Sequence, residues 1–464
     1  MNTSRTHCTP RFSLDYVELA QPVSRVSKTK RTRVFASAAC LLCLALAVSP
    51  AWAEEVPDCE DGQTEPCKTS TEPENRPAAN LAGPEQVENR LYIDSNQVTP
   101  LFPSDFARGY FNWKEQVKKD KGVDFGGDYS LAYLKASDSP GDDEAFGGMY
   151  RFYGSWEATG DGKGNSGALI WKIEHRHAYG GYIPAGSLGF EIGYTGMFLP
   201  PFSDQGTRLT NLYWRQRIKG GNLVFIGGFV DPTDYLDVYM LASPWTGYFN
   251  LAFSTGSASI PLPNEGLGLA LGGYLNDNLY MIGGFADSNS DPAHPGDGFD
   301  TFFNDHEYFT HFEIGWNSTR KTAFLNNVHL SLWHADERKA AATPNGWGAN
   351  LSWSRSINSH WITFVRAGYA KDGGSLLEKS MVGGVAYQTV PGGNQLGVAA
   401  NWGAPNESTW GPGLKNQKTL EVFYRIQLWK ELAITPDLQY IKDPALNPTE
   451  DSLWVFGLRA RFAF

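Results

Sequence analysis

The sequence predicts an all-β chain: a transmembrane antiparallel β-barrel preceded by a short helix and a flexible N-terminal extension. Three observations carry that prediction. From residue 123 to the C-terminus, side chains alternate apolar and polar with a period of two, which gives each strand one greasy and one hydrophilic face. Trp and Tyr mark strand ends, at Trp156, Trp171, Tyr194, Trp316, Trp353, Trp402 and Trp429, where amphipathic rings settle at headgroup depth. The chain closes on a segment in which Trp454, Phe456, Leu458, Ala460, Phe462 and Phe464 share one parity and Arg459 and Arg461 the other. On a soluble edge strand that apolar face would invite aggregation. In lipid, a closed barrel is the sheet that pairs every backbone N–H and C=O internally.

Composition agrees with this class. Of 464 residues, 41% are hydrophobic and only 19% charged, with 50 Gly, 15 Trp, 21 Tyr and 27 Phe; a soluble helical enzyme would carry more Ala, Leu, Glu and Lys. Residues 1–53 read as a signal peptide: Lys28, Lys30, Arg31 and Arg33 precede an apolar run over 34–48, and Ala51-Trp52-Ala53 supplies a small-x-small cleavage site. The run is about 15 residues, short for a membrane span. The stretch before Lys28 is long for such a signal, as it would be if translation began downstream of Met1. Cys40 and Cys43 do not sit just past the apolar core, which disfavours a lipoprotein. Cleavage after Ala53 removes seven Lys/Arg and two Asp/Glu, leaving 32 basic and 48 acidic residues, a net charge of −16. So acidic a chain is a poor partner for nucleic acid. Of the cysteines only Cys59 and Cys67 remain; in an oxidising compartment they either close a small disulfide loop or stay as two thiols in a tail.

Residues 54–104 are rich in Pro, Glu, Asn and Thr and read as a flexible periplasmic extension. Residues 105–122 read as a short helix, from Phe106, Tyr110, Trp113 and Val117 at helical spacing, ended by Lys118, Lys119, Lys121 and Gly122. The barrel then occupies 123–464. Alternation is clearest in 123–135, 169–176 and 420–428. Similar segments lie at 149–158, 187–195, 208–218, 222–230, 266–275, 279–286, 307–316, 326–334, 346–355, 360–369, 380–389, 395–402, 432–441 and 452–464, making seventeen candidates, with 248–255 an optional eighteenth. No amphipathic helical block interrupts them, which disfavours a doubly wound α/β fold.

Parity assigns the hydrophilic set to a water-filled lumen. Arg151, Lys172, Arg176, Arg215, Arg217, Arg425, Arg459 and Arg461 fall on that face, with Asp128, Glu157, Glu174, Glu191, Glu313, Asn350, Glu421 and Gln427. Guanidinium groups fork hydrogen bonds toward hydroxyl pairs, and aromatic rings offer flat faces to sugar C–H groups. For any single residue, a ladder that stabilises the wall is the plainer account. His175 and His177 share the parity of Ile173 and face outward, with no third zinc ligand nearby. Asp231, Asp234 and Asp237 flank Pro232 in a connection and match no calcium-loop spacing. No Gly-x-Ser-x-Gly elbow or P-loop is present, so the chain reads as a non-enzyme without cofactor.

The C-terminal stretch resembles the carbohydrate-selective porins of the OprB type. The similarity rests on Glu421-Val-Phe-Tyr-Arg425-Ile-Gln427, Leu432-Ala-Ile-Thr-Pro436-Asp-Leu-Gln439-Tyr, Asp443-Pro444-Ala and Gly457-Leu-Arg459. Weaker matches lie at 122–125, 231–250 and 383–402, and the terminal Phe464 resembles the C-terminal signal of bacterial outer-membrane proteins. The resemblance spans about residues 105–464. It implies about 16 strands, short periplasmic turns, longer external loops and an arginine-lined eyelet that passes small sugars by facilitated diffusion. One departure is Tyr110-Phe-Asn-Trp113-Lys, where the family starts its helix with Trp-Gly-Gly-Leu-Arg.

The expectation is therefore a cell outer-membrane porin for small carbohydrate solutes, set among outer-membrane lipid and lipopolysaccharide, with homo-oligomerisation left open. Arg215, Arg217, Arg176 and Lys172 are the expected basic eyelet residues, with Arg151 in support and Glu174 as acidic neighbour. Trp214, on the parity of Leu212 and Ile218, is expected to face lipid. The rivals are an anion or organic-acid porin on a similar barrel and a non-conducting barrel hydrolase or adhesin.

Overall fold

Strand β1 (Val123–Ala136) pairs on one side with β2 (Glu144–Gly160) and on the other with β16 (Ser452–Ala463), so the sheet closes on itself. Between them follow β3 (Ser166–Ala178), β4 (Gly206–Ile218), β5 (Leu223–Val230), β6 (Gly266–Tyr274), β7 (Leu279–Asp287), β8 (Tyr308–Asn317) and β9 (Asn327–Ala335). The second half comprises β10 (Gly346–Ile357), β11 (Trp361–Asp372), β12 (Leu377–Gln388), β13 (Gln395–Pro405), β14 (Gln417–Gln427) and β15 (Leu432–Lys442). This computed structural model describes residues 81, 83–96, 100–103, 106–320, 323–390 and 392–464. The expected signal peptide, the start of the extension and Cys59 and Cys67 lie outside them.

All neighbouring strands are antiparallel, and the closing register sets Tyr129 opposite Phe462 and Tyr133 opposite Leu458. Sixteen strands about 4.8 Å apart, tilted by about 40°, enclose a backbone cylinder roughly 30 Å across. At one end of the barrel lie short connections such as 161–165, 219–222 and 275–278, and at the other the longest ones, 179–205, 231–265 and 288–307. Both ends of the barrel chain lie at the short-turn end. At the β4–β5 turn, Gly220 and Gly221 take φ of 66° and 82°, a left-handed conformation that glycine adopts without a Cβ penalty.

The parity reading survives contact with the structure. Trp454 is 49% exposed on the outer face, with Leu458 and Phe462 beside it, while Arg459 and Arg461 are buried inside. Trp214 and His175 face outward, and Val328, Leu330 and Leu332 alternate with inward Asn327, His329 and Ser331.

Two expected strands are loop instead. Residues 187–195 carry a helical turn, Leu188–Glu191, and then Gly193 at φ 78°. Their alternating Leu188, Ile192 and Tyr194 imitate a strand, yet all are buried with Phe198 and Phe202 against inward Leu134 and Val455. A spanning strand shows one apolar face to lipid; this segment buries its apolar groups against protein. Glu191 and Tyr194 are thus loop residues, neither lumenal wall nor girdle. Segment 248–255 likewise belongs to the long β5–β6 loop, where Asn250 caps a short turn at Leu251–Phe253.

Within the stretch expected to be a flexible extension, helix α1 (Val87–Ser95) forms. The Gln86 side chain accepts a hydrogen bond from Asn89 N at 3.1 Å, which satisfies an orphan N–H at the helix start, and Asn89 Nδ2 donates to Gly83 O at 2.8 Å, which ties the helix to the chain before it. Val87 and Leu91 pack on Tyr153, Ile170, Tyr213, Val224 and Ile226, the inward face of β2–β5, so α1 lies inside the barrel. Helix α2 (Arg108–Lys121) matches the expected helix and stops at Gly122, φ 66°. It sits at the short-turn rim, where Trp113 meets Phe125 edge-on and Lys114 lies over the rings of Tyr110 and Phe125.

Candidate functional site

The β5–β6 loop, residues 231–265, folds into the lumen and packs on the inner wall of the far side. Tyr239, Tyr248 and Phe253 pack on Ile362, Phe364, Val382, Ala386 and Phe423, inward residues of β11, β12 and β14. Polar contacts fix the loop's position. Asp237 receives hydrogen bonds from Gly256 N at 2.8 Å, Asn350 Nδ2 at 3.2 Å and Arg366, and its other oxygen meets His329 Nε2 at 2.9 Å. Burial raises the Asp237 pKa, but Arg366 and His329 outweigh it and hold the carboxyl below its usual range. Further round the wall, Glu421 accepts from Asn250 N at 3.0 Å, Asn250 Nδ2 donates to Gln439 at 3.0 Å, and Arg459 donates to Gly247 O at 3.0 Å.

Beside this loop a bowl opens. Pro200, Trp245, Ile260 and Leu262 supply apolar lining, and Glu174, Arg176, Asp231 and Glu265 supply charge, with Glu85 also on its surface. The charges are bonded in opposite pairs. Arg176 donates to Glu174 at 2.8 Å and to Glu265 at 3.2 Å, and Arg208 donates to the other Glu265 oxygen at 2.8 Å. Burial pushes Glu265 up, yet Arg208 and Arg176 pull it down to about 2. Lys172 Nζ donates to both Asp234 oxygens at 3.0 and 3.2 Å and lies 3.7 Å from Asp231. Burial carries Asp234 up to about 8 against the pull of Lys172, and Asp231 is raised as well. Trp245 lies over the Arg151 guanidinium at 4.0 Å, and its buried indole Nε1 has no hydrogen-bond partner among the described residues.

The six expected eyelet residues all face inward, but they do not form one ring. Arg176 and Glu174 line the bowl. Arg151 is bonded to Asp128 at 3.0 Å and to Glu85 at 2.9 Å. Arg215 and Arg217, nearest the short-turn end of β4, share Glu88 of α1 at 3.0 and 2.8 Å. Arg461 holds Asp94 at 2.7 Å, and Tyr153 donates to the same carboxylate at 2.8 Å. The aspartates near Pro232 serve as partners of Lys172 and Arg366. Among the described residues no His, Cys, Asp and Glu cluster fits a metal ion. His177 lies on the outer face, 3.1 Å from the Tyr129 hydroxyl.

Parity missed Arg208 for a definite reason. The β3–β4 register slips between Lys172/Asn211 and Ile173/Leu209, so a bulge at Thr210 swaps the faces. Arg208 shares the numerical parity of outward Trp214 yet points inward. Glu265, Trp245 and the acids of α1 sit outside the strands, where alternation carries no signal.

Residues 325–464, which contain β9 to β16, match the family model described as carbohydrate-selective porin, OprB family. The barrel is similar to the high-pH structure of Pseudomonas putida OprB, with a TM-score of 0.61 at 13% identity, over 76% of this chain and 97% of that one. The low-pH structure of the same protein gives 0.48 at 12% identity, over 77% and 98%. A mutant of the Rh. blastica porin gives 0.45 at 10% identity, over 74% and 100%. No curated protein sequence matches the chain. The resemblance read from the C-terminal strands is thus borne out by the family match over 325–464, and the barrel fold by the high-pH structure.

Proposed function

We propose that this chain is an outer-membrane porin that lets small sugars diffuse passively into the periplasm. The observation that carries this reading is the bowl, whose charged groups are bonded to one another in opposite pairs beside the Trp245 indole. Such a wall offers many hydrogen-bonding edges with little net field, which suits a neutral polyol better than a bare ion. Trp245 lines the bowl and supplies apolar ring surface for the C–H side of a sugar. The family match over the second half of the barrel supports the same reading. The outward apolar face meets lipid, and the long-loop end is the external one because short turns and chain ends belong on the periplasmic side. Passage needs no covalent chemistry.

Sugar block in planar bilayers tests the proposal: glucose or a short oligosaccharide added to the bath lowers the ion current through the purified chain. A current indifferent to every sugar, with strong anion preference in salt gradients, supports the anion-porin rival. No current at all returns the barrel to the hydrolase or adhesin class.

A further inference from the structure

We propose that α1 sets the charge selectivity of the lower lumen, acting as a built-in electrostatic insert that cancels the arginines of the wall. The inference rests on the reading of the chain as a pore, and it concerns residues that stand before both the barrel and the resemblance to the porins.

The wall groups ion-paired around α1 are Arg151, Arg215, Arg217 and Arg461 with one carboxylate, Asp128, a net of +3. The insert brings Glu85, Glu88 and Asp94 with a single cation, Arg90, a net of −2. Each wall arginine meets an α1 segment carboxylate within 3.0 Å. Without the insert, these paired groups would be strongly anion-attracting; with it, +1 remains among them. Buried guanidinium groups need such partners, because an isolated charge in a low-dielectric setting is costly.

The seat is made for a helix. Ile170, Tyr213, Val224 and Ile226 occupy lumenal positions where water would be unwelcome, and Val87 and Leu91 cover them. From the other side the β5–β6 loop clamps the segment: Gly83 N donates to Asp234 O at 2.7 Å, and Ser243 Oγ donates to Glu85. Apolar packing on one side, ion pairs on another and the loop on a third fix α1 in one position. A helix about 10 Å wide also leaves part of a bore about 30 Å across the backbone unfilled.

The test is a charge cycle in the full-length chain, read as reversal potential in a salt gradient. Glu88→Gln leaves Arg215 and Arg217 uncompensated and raises the chloride-to-potassium permeability ratio by about two- to threefold, the reach of one charge within a Debye length of the path. Arg217→Gln removes one positive charge and shifts the ratio the other way by about as much. The two substitutions together conserve the net charge and return the ratio to near the wild-type value. A purely structural role for α1 would not give opposite shifts that cancel. Equal selectivity in all four proteins overturns the inference, as does a wild type that is silent until Glu88→Gln opens it, which would make α1 a plug. Sugar block is read from the same recordings and belongs to the proposed function, so its loss with these shifts intact sinks that reading alone. Silence from every variant sinks both.

Discussion

Asp237 is the anchor on which the lumenal loop depends, and Asp237→Asn removes its charge with almost no change of shape. In the native chain Arg366 is 1% exposed and directs its guanidinium at Asp237 Oδ2, Asp237 O and Ser254 O, over the Tyr239 ring at 4.7 Å. Its only ion-pair partner is this carboxylate among the described residues. Breaking a buried pair from one side costs about 3–5 kcal/mol, since the remaining charge stays desolvated. His329 and Gly256 N lose their charged acceptor as well. That loss falls on the contacts that bind the loop to β9–β11, so local release should precede unfolding of the barrel. The expected outcome is a larger single-channel conductance, weaker sugar block and a lower melting temperature in detergent. Acid does not imitate the substitution readily. Burial raises this carboxyl, but Arg366 and His329 hold it below the usual 3.8. A depressed acid contributes stability that is complete above its unfolded pKa and fades only as pH falls through the lower folded value. The loop should therefore hold at pH 4. A variant with native conductance, sugar block and melting would refute the anchoring argument.

Trp245→Ala removes the indole from the bowl and from Arg151, and sugar block should weaken by about tenfold, the equivalent of roughly 1.4 kcal/mol of lost ring contact; titration of the current with glucose measures it. Glu85 is pushed up by burial but pulled down to about 2, chiefly by Arg90 and Arg151. Its contribution is thus present above the usual 4.5 and lost as pH falls toward 2, so the difference in ion selectivity between wild type and Glu85→Gln should be the same at pH 7 and pH 4. A transition centred near 4.5 would contradict those ion pairs. Leu330→Arg places a cation on the outer face in the middle of β9 and should cost about 2–4 kcal/mol of stability in lipid vesicles. Denaturant unfolding reads the cost, and an unchanged midpoint would argue that this face does not meet lipid.

The strands were legible because lipid and backbone together leave little freedom. A residue pair in β16 such as Leu458 and Arg459 has one solution: one side out, the other in. Rings at the strand ends add a second signal of the same kind. The same rule was deceived at 187–195, where Leu188, Ile192 and Tyr194 keep the period of two while turning through a helical segment. Alternation reports which residues are apolar; it does not report whether lipid or protein covers them. Gly193 was the local sign against a strand, since a Cβ there would stand 2.7 Å from Asn447 N.

The site was harder to read because parity assumes a lumen filled with water. Here protein fills much of it, and the inner wall records where. Ile170, Tyr213, Val224 and Ile226 are inward and apolar under α1; Ile362, Phe364, Val382 and Phe423 are inward and apolar under the β5–β6 loop. In Trp361-Ile362-Thr363-Phe364-Val365 and Val422-Phe423-Tyr424 both parities are greasy, which an aqueous bore does not explain. β9, with Asn327, His329 and Ser331 inward, faces polar groups: His329 meets Asp237 of the loop, and Ser331 donates to Glu313. A barrel strand apolar on both faces is therefore a footprint of something seated inside. Each footprint here has its own adjoining charges: Arg366 beside the loop, and Arg151, Arg215, Arg217 and Arg461 beside α1. The arginines that look like a bare eyelet in the sequence are thus mostly docking partners. What a solute meets is the set of groups left facing the bowl after those partners are satisfied.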